Sequence, residues 1–201
     1  IVPIIVGLCI ALSGQLIRIA TIGLKYIIRG GSNCRVYAED LVTEGLFSHV
    51  RNPLYVGNAL IIIGLGIISN SILFNLVMTP LFLFMYQAIV RAEEDFLQGN
   101  FGPDFVDYCA DVNRWLPNFQ GLGSTMKSME FKWQRVIVKE YGATYIWLTG
   151  ATLIISKTLY FHQGGKYFSE YRSTLIAALG AILGLYLVAR YLKKSKILSG
   201  D

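Results

Sequence analysis

Five stretches of the chain are almost continuously apolar, and the polar residues concentrate between them. A helix needs about 20 predominantly apolar residues to cross a bilayer, and three of the five stretches come close to this length or exceed it. The second and fifth stretches are shorter and need flanking residues to span. The predicted spans are residues 2–24, 54–69, 72–90, about 143–161 and about 174–189.

The apolar pattern predicts helices rather than a barrel, because no stretch alternates apolar and polar positions as a transmembrane strand does. The predicted fold class is all-α, a polytopic membrane helical bundle of about five transmembrane helices. Only Asn70 and Ser71 separate the second and third spans, which predicts a tight antiparallel helical hairpin. We divide the chain into a membrane core (1–120), an amphipathic linker (121–140) and a C-terminal two-helix transmembrane hairpin (141–201).

The composition agrees with a membrane protein. The chain is 54% hydrophobic and 15% charged, whereas soluble domains carry about 25% charged residues. Its net charge of +5 includes no long basic run, so we expect no nucleic-acid partner and read the basic residues as markers of cytoplasmic loops. Cys9, Cys34 and Cys109 lie far apart without a histidine cluster, so no metal site is predicted.

The distribution of basic residues predicts the orientation. If Val2 lies outside, residues 25–53 and 91–140 both face the cytoplasm and hold most of the Lys and Arg residues. The outer loops then hold few basic residues, namely Lys157, Lys166 and Arg172. This bias has the sign of the positive-inside rule. We therefore predict a multi-pass protein with a site on its cytoplasmic face, built from these two stretches.

The second span begins at a polar corner. Pro53 disfavours a helical conformation at Asn52 and suits a first helical turn, so Asn52 is predicted to cap the helix. The ordinary explanation of Arg51 and Tyr55 is that both sit at the membrane interface.

The adjacent acids Glu93 and Glu94 lie at the predicted cytoplasmic end of the third span, close to this corner because the hairpin is antiparallel. Acidic side chains at a helix C-terminus oppose the helix dipole. We therefore expect the two acids to have a partner, either Arg51 or a bound cation.

A short amphipathic segment follows the acids. Pro103 can open a new helix, and one face of that helix is apolar, with positions near the i, i+3, i+4, i+7 spacing. The residues on this face are Phe105, Tyr108, Cys109 and Val112. The segment is predicted to lie on the bilayer surface and, in the functional interpretation, to cap a site there.

The stretch "DLVTEGLFSHVRNPLYVG" (40–57), followed by "EEDFLQGNFGPDFVDYCADVNRWLP" (93–117), resembles the integral-membrane methyltransferases. These include isoprenylcysteine carboxyl methyltransferase and the phosphatidylethanolamine N-methyltransferases. The resemblance covers about residues 23–117, with one helical hairpin between its two halves. It implies that S-adenosylmethionine binds at the cytoplasmic face and that a methyl group passes to a lipid or prenylated acceptor.

The resemblance also implies which residues bind the cofactor. These are Asp40, Leu41, Val42, Phe47, Asn52, Pro53, Leu54, Tyr55 and Glu93. The chain departs from the family pattern at two of them. Asn52 stands where His is frequent, and an amide cannot carry a proton. Phe47 stands where Tyr is common, which removes a hydroxyl and keeps a ring.

The chemistry of methyl transfer suggests Arg51, Arg91 and Glu94 as catalytic residues. A carboxylate such as Glu93 or Glu94 is a suitable partner for the sulfonium cation of the cofactor. Arg51 or Arg91 can hold an acceptor carboxylate. If the acceptor is instead an amine, Glu94 is the candidate base.

Other interpretations remain open. The acceptor can be a phospholipid amine, or the protein can be an NADPH-dependent membrane reductase of the sterol type or a non-catalytic lipid-binding bundle. Gly180 and Gly184 form a GxxxG pattern that allows a homodimer through the C-terminal helices. Arg18 and Gln15 interrupt the first span, and Arg18 is expected either to snorkel or to line a substrate pocket.

Overall fold

The structure is a computed structural model that describes residues 1–25, 40–162, 165–195 and 197–198. Within these ranges the secondary structure is helical and includes no strand, which confirms the all-α class. The α-helices are α1 (Val2–Leu24), α2 (Pro53–Ser69), α3 (Thr79–Phe101), α4 (Pro103–Asp111), α5 (Leu122–Ser128), α6 (Trp133–His162) and α7 (Gly165–Lys194).

Three helical stretches in the described ranges are long and apolar enough to cross a membrane: Val2–Leu24, Phe74–Phe101 and Phe168–Lys194. Helix α2 is also apolar but has only 17 residues. Helix α6 is long, but its Tyr, Thr and Gly residues lower its hydropathy. The chain is thus an all-α membrane-type bundle, and the crossing of the bilayer by α2 and α6 stays a prediction.

Helices α2 and α3 form the predicted hairpin. Asn70 ends α2 with a φ of 46°, a left-handed conformation that Asn tolerates better than most residues. A π-helical turn, Phe74–Met78, then leads into α3. The Asn75 side chain donates to the carbonyls of Gly66 and Ser71, both at 2.9 Å. These bonds fix the two helices side by side at the hairpin turn.

The helices extend beyond the apolar segments. Helix α3 continues past Val90 to Phe101, so Glu93 and Glu94 lie within the helix and the prediction that they stand at its C-terminus is wrong. The sequence after the apolar stretch remains a good helix former, which is why the apolar boundary did not mark the helix end. Helix α6 likewise begins at Trp133, well before the apolar stretch that starts near residue 143.

Helices α1 and α2 are in close contact along a line of small residues. A Cβ atom on Gly7 would lie 2.5 Å from the carbonyl oxygen of Gly64, and one on Gly14 would lie 2.5 Å from that of Gly57. Real Cβ contacts are essentially never this short, so a side chain at these positions would push the helices apart. Small residues that let backbones approach closely are typical of helix pairs in membranes.

A buried ion pair joins α1 to α6. Glu140 is 2% exposed, and its carboxylate accepts hydrogen bonds from Arg18 Nε at 2.6 Å and Nη2 at 2.7 Å. Arg18 Nη1 also donates to Asn58 Oδ1 on α2, at 2.5 Å. Of the two alternatives for Arg18, snorkelling is therefore wrong, because the guanidinium turns into the bundle toward Glu140. A role in a substrate pocket stays a prediction.

Gln15 completes this buried polar cluster. Its Nε2 donates to Glu140 Oε1 and to Thr144 Oγ1, both at 3.1 Å. Its Oε1 accepts a hydrogen bond of 2.6 Å from Trp147 Nε1. Since buried polar groups are costly unless they are hydrogen-bonded, these contacts fix the register of α6 against α1.

Candidate active site at the start of helix α2

The polar corner before α2 lies against α3, as the sequence predicts. Pro53 is the first residue of α2, and Asn52 precedes it with a non-helical backbone. The side chain of Asn52 does not cap the helix, which corrects that prediction. Its Nδ2 instead donates to Glu94 Oε1 at 3.1 Å. Hydrogen bonds to ionised groups are stronger than those between neutral groups, so the contact of Nδ2 with the carboxylate sets the orientation of the amide.

Glu94 is the centre of the site. It is 7% exposed, and its Oε2 accepts hydrogen bonds from Arg114 Nε at 2.8 Å and Nη2 at 2.6 Å. Arg51 Nη1 lies 3.5 Å from Oε1, the oxygen that also accepts from Asn52. A carboxylate has about four lone-pair sites, so these contacts use most of the acceptor capacity of Glu94.

Arg114 was not among the residues predicted for the site. The hydrogen bonds to Glu94 raise the pKa of its guanidinium, because they favour the charged form. A signal was present in the sequence, since Arg114 is the only basic residue between Arg91 and Lys127, in a stretch rich in acids. Where one cation lies among several carboxylates in the sequence, it is expected to pair with the carboxylate that becomes buried.

Glu93 has a different environment from its neighbour. It is half-buried, and its Oε1 accepts a hydrogen bond of 2.8 Å from the hydroxyl of Tyr55, on the first turn of α2. The ring of Tyr55 lies 6.0 Å from the ring of Tyr86, measured between centroids. The two acids thus bind different residues of the same corner, and Glu93 lies beside an aromatic pair.

Helix α4 covers the corner. Phe105 is buried, and the hydroxyl of Tyr108 donates to the carbonyl of Phe47 at 2.6 Å. Burial raises the pKa of Tyr108, because it disfavours the charged phenolate. Arg51 Nη1 donates to Cys109 Sγ at 2.7 Å. The apolar face predicted for α4 therefore packs over the site.

The segment after α4 is bound to the corner through its backbone. Arg51 N donates to the carbonyl of Asn113, and Asn118 N donates to that of His49, both at 2.9 Å. The ring of His49 lies between Asn118 O, 2.7 Å from Nδ1, and Thr125 Oγ1, 2.9 Å from Nε2. This buried histidine uses both ring nitrogens in structural contacts.

A cavity of about 310 Å³ opens beside Glu94 and the two arginines, with Asp95, Gln98, Phe105, Val106 and Cys109 completing its wall. The Nε atom of Arg51 is buried and has no hydrogen-bond partner among the described residues. A buried donor without a partner is costly. Arg51 is among the residues that line the cavity, so its guanidinium is the cation that an anionic ligand there would meet.

The other residues predicted for the site differ in burial and in their position along the chain. Phe47 and Pro53 are buried and Leu54 is half-buried at the corner itself. Arg91 is exposed on α3, whereas Asp40, Leu41 and Val42 lie in the segment before the 3-10 turn Gly45–Ser48. The binding and catalytic roles of all these residues stay predictions.

No group of three or more His, Cys, Asp or Glu side chains is placed to hold a metal ion in the described part of the chain. Cys9 and Cys109 are free thiols. Cys34 is the third cysteine considered in the prediction of no metal site. It lies outside the described residues.

Two curated bacterial proteins are similar to the chain. The nickel-cobalt-cadmium resistance protein NccN of Alcaligenes xylosoxydans is 29% identical over 152 residues, which cover 72% of this chain and 68% of that protein. The cobalt-zinc-cadmium resistance protein CzcN of Cupriavidus metallidurans is 30% identical over 161 residues, which cover 76% and 71%. No solved structure matches the chain.

The family model of the phospholipid methyltransferases matches residues 2–104. This range covers more than half of the chain and includes α1, the corner before α2, the whole hairpin and the acids of α3. It coincides with most of the region that resembles membrane methyltransferases in sequence. The chain therefore belongs to the phospholipid methyltransferase family.

Proposed function

We propose that the protein transfers a methyl group from S-adenosylmethionine to a lipid-borne acceptor at the cytoplasmic surface of the membrane. The observation that carries this proposal is the meeting of Asn52, Tyr55 and Arg51 with Glu93 and Glu94 beside a cavity. They belong to α3, to the first turn of α2 and to the two residues before it, all within the matched family region. Of these residues, Arg51 and Glu94 line the cavity. The basic residues near this end of the bundle support the cytoplasmic orientation.

The residues at the site suit the chemical groups of S-adenosylmethionine. When bound, this cofactor supplies a methyl group on a positively charged sulfur, together with a carboxylate and an adenine ring. Glu93 offers a partly exposed carboxylate for the cation, and the Tyr55–Tyr86 pair offers faces for a planar ring. The guanidinium of Arg51, which lines the cavity, offers a donor to a carboxylate.

Charged side chains of both signs line the cavity: Arg51 and Arg114, with the carboxylates of Glu94 and Asp95. Arg114 is a third exposed and Asp95 is exposed, so water and salt screen both of their charges. Arg51 is the most buried cation of the wall, at 15% exposed. It is the residue that can bind an anionic group, which either the cofactor or the acceptor can provide.

The contacts of Glu94 bear on the class of acceptor. Three hydrogen bonds and an ion pair already use its oxygens, so it has little capacity to take a proton from an amine. We assign it a positioning role, in which it holds Arg51, Asn52 and Arg114 in place. A carboxylate acceptor needs no general base, and the guanidinium of Arg51 can orient it. The acceptor that this geometry favours is therefore a lipid-borne carboxylate, as in prenylated cysteine.

The proposal is tested in two steps. The purified protein is incubated with methyl-labelled S-adenosylmethionine and total membrane lipid, and mass spectrometry identifies the labelled product. A base-labile methyl ester is expected. A labelled phospholipid amine would instead assign the chain to N-methylation, and the absence of any labelled product would contradict methyl transfer to lipid.

Cofactor binding is measured separately by calorimetry. We expect Glu93→Gln to abolish binding of S-adenosylmethionine while the protein stays folded. Glu130→Gln, which makes the same change at an exposed acid between α5 and α6, is the matched control and is expected to bind normally. Equal affinity of both variants would remove Glu93 from the site. Tighter binding of NADPH than of S-adenosylmethionine would favour a reductase.

A further inference from the structure

A second cavity, of about 350 Å³, lies between α1, α6 and α7. Apart from Ile19 its lining belongs to α6 and α7, beyond the residues that the family model matches. Along α6 the lining extends from Val136 to Leu148, about 18 Å at 1.5 Å per residue. Most of the lining side chains are apolar, so the cavity is a lengthwise groove suited to a hydrocarbon chain.

One wall of this groove is aromatic. The ring of Tyr186 lies 5.4 Å from that of Tyr141 and 4.4 Å from that of Tyr145, measured between centroids. Two cations are bound to these rings. Arg190 Nη1 donates to the Tyr186 hydroxyl at 2.8 Å, and Lys193 Nζ lies 5.3 Å from the centroid of Tyr141. The lining side chains thus hold two positive charges at one end of the groove.

These two charges lack an acidic counterpart among the described residues, where neither Arg190 nor Lys193 forms an ion pair with a carboxylate. Glu140 lines the groove, but its carboxylate is bound bidentately by Arg18. The groove therefore combines an apolar channel with an uncompensated cationic end.

We propose that this groove binds one anionic phospholipid, with its phosphate at Arg190 and Lys193 and one acyl chain along α6. Charge complementarity selects this ligand, since basic residues next to a membrane attract anionic headgroups. The tyrosines do not suit a quaternary ammonium headgroup, because cations of the chain already occupy two of the rings. The site is separate from the methyl-transfer site and does not depend on the function proposed for it.

The experiment uses the full chain in detergent and native mass spectrometry, with phosphatidylglycerol or phosphatidylcholine of the same acyl chains as the added lipid. The intact protein is expected to retain one phosphatidylglycerol in preference to phosphatidylcholine. Replacing both cations, by Arg190→Gln with Lys193→Gln, is expected to weaken phosphatidylglycerol binding about 30-fold, as two basic groups at an anionic headgroup predict. Arg172→Gln, an exposed cation nearer the other end of α7, is the matched control and is expected to change nothing.

A third variant tests the channel itself. Ala189→Phe places a ring in the groove and is expected to displace the lipid while Arg190 and Lys193 remain. Equal retention of both lipids by the intact protein, or unchanged binding in the double variant, would overturn the proposal. A dimer that disappears in Ala189→Phe, with no bound lipid, would instead assign the groove to a second copy of the chain. S-adenosylmethionine binding, measured in parallel, reports on the other site.

Discussion

The ion pair between Arg18 and Glu140 gives the sharpest test of how the bundle is held together. The perturbation consists of Arg18→Met, Glu140→Met and the two combined. Methionine has nearly the volume of either side chain and brings no charge, so packing is largely kept. The pair is well buried, with side chains 13% and 3% exposed.

The magnitude follows from what each change leaves behind. Either single substitution leaves the other charge buried without its partner, which costs about 3–5 kcal/mol. The double substitution removes both charges. What remains is the loss of the partner of the half-buried Asn58 Oδ1 and of one of the two acceptors of Gln15 Nε2, which keeps Thr144; an unsatisfied buried polar group costs about 1–3 kcal/mol. The double variant is therefore expected to be more stable than either single variant.

The assay is reversible unfolding in mixed micelles, followed by tryptophan fluorescence, since Trp147 is bonded to Gln15 within the same cluster. Arg172→Met replaces an exposed arginine and is the control, with an expected change within about 0.5 kcal/mol. If the two single costs simply add in the double variant, the two side chains do not interact, and this ion pair does not hold α1 against α6.

Three further predictions concern the rest of the fold and the site. Gly14→Ala is expected to lower the unfolding midpoint, because its Cβ would lie 2.5 Å from a carbonyl of α2, whereas Gly180→Ala, which faces open space, should leave it unchanged or raise it. Tyr108 has a raised pKa, so the stability it contributes is present below pH about 10 and is lost as pH rises further; the thermal midpoint of Tyr108→Phe should fall less between pH 9 and pH 11 than that of the wild type. Tyr55→Phe removes the hydrogen bond to Glu93 and is expected to weaken S-adenosylmethionine binding in calorimetry about tenfold, as loss of a bond to a charged group predicts; unchanged affinity would mean that the hydroxyl does not position Glu93.

Much of the fold could be predicted from local pattern. The bounds of α1 and the start of α2 follow from apolar length and from a single proline. The antiparallel hairpin fixes which ends of α2 and α3 are neighbours, so the approach of Asn52 to Glu94 could be predicted without coordinates. The outer bounds of α3 and α6 could not be predicted from hydropathy. Both helices extend past their apolar stretches, because the helix propensity of the sequence stays high where its hydropathy falls.

Arg51 was predicted as a partner of the acids and does lie 3.5 Å from Glu94, but the partners of Arg18 and Asn52 were not predicted. Arg18 and Glu140 are separated by more than a hundred residues, and a lone charge in a span has no local feature that names its partner. Asn52 was expected to bond its own helix, as the N-cap preference of Asn suggests. A carboxylate from another helix instead binds its Nδ2 and sets the orientation of the amide, and only the tertiary arrangement of the chain shows that this carboxylate is there.

The buried cluster also bears on why α6 matters to a site built from other helices. Asn58, which binds Arg18, lies three residues after Tyr55 on α2 and so on nearly the same face of the helix. Tyr55 in turn binds Glu93. Any rotation of α2 that displaced Tyr55 would also pull Asn58 from Arg18, and Arg18 is fixed by Glu140 of α6. Helix α6, outside the family-matched region, therefore helps to set the orientation of the candidate active site through contacts about one helical turn deeper in the bundle.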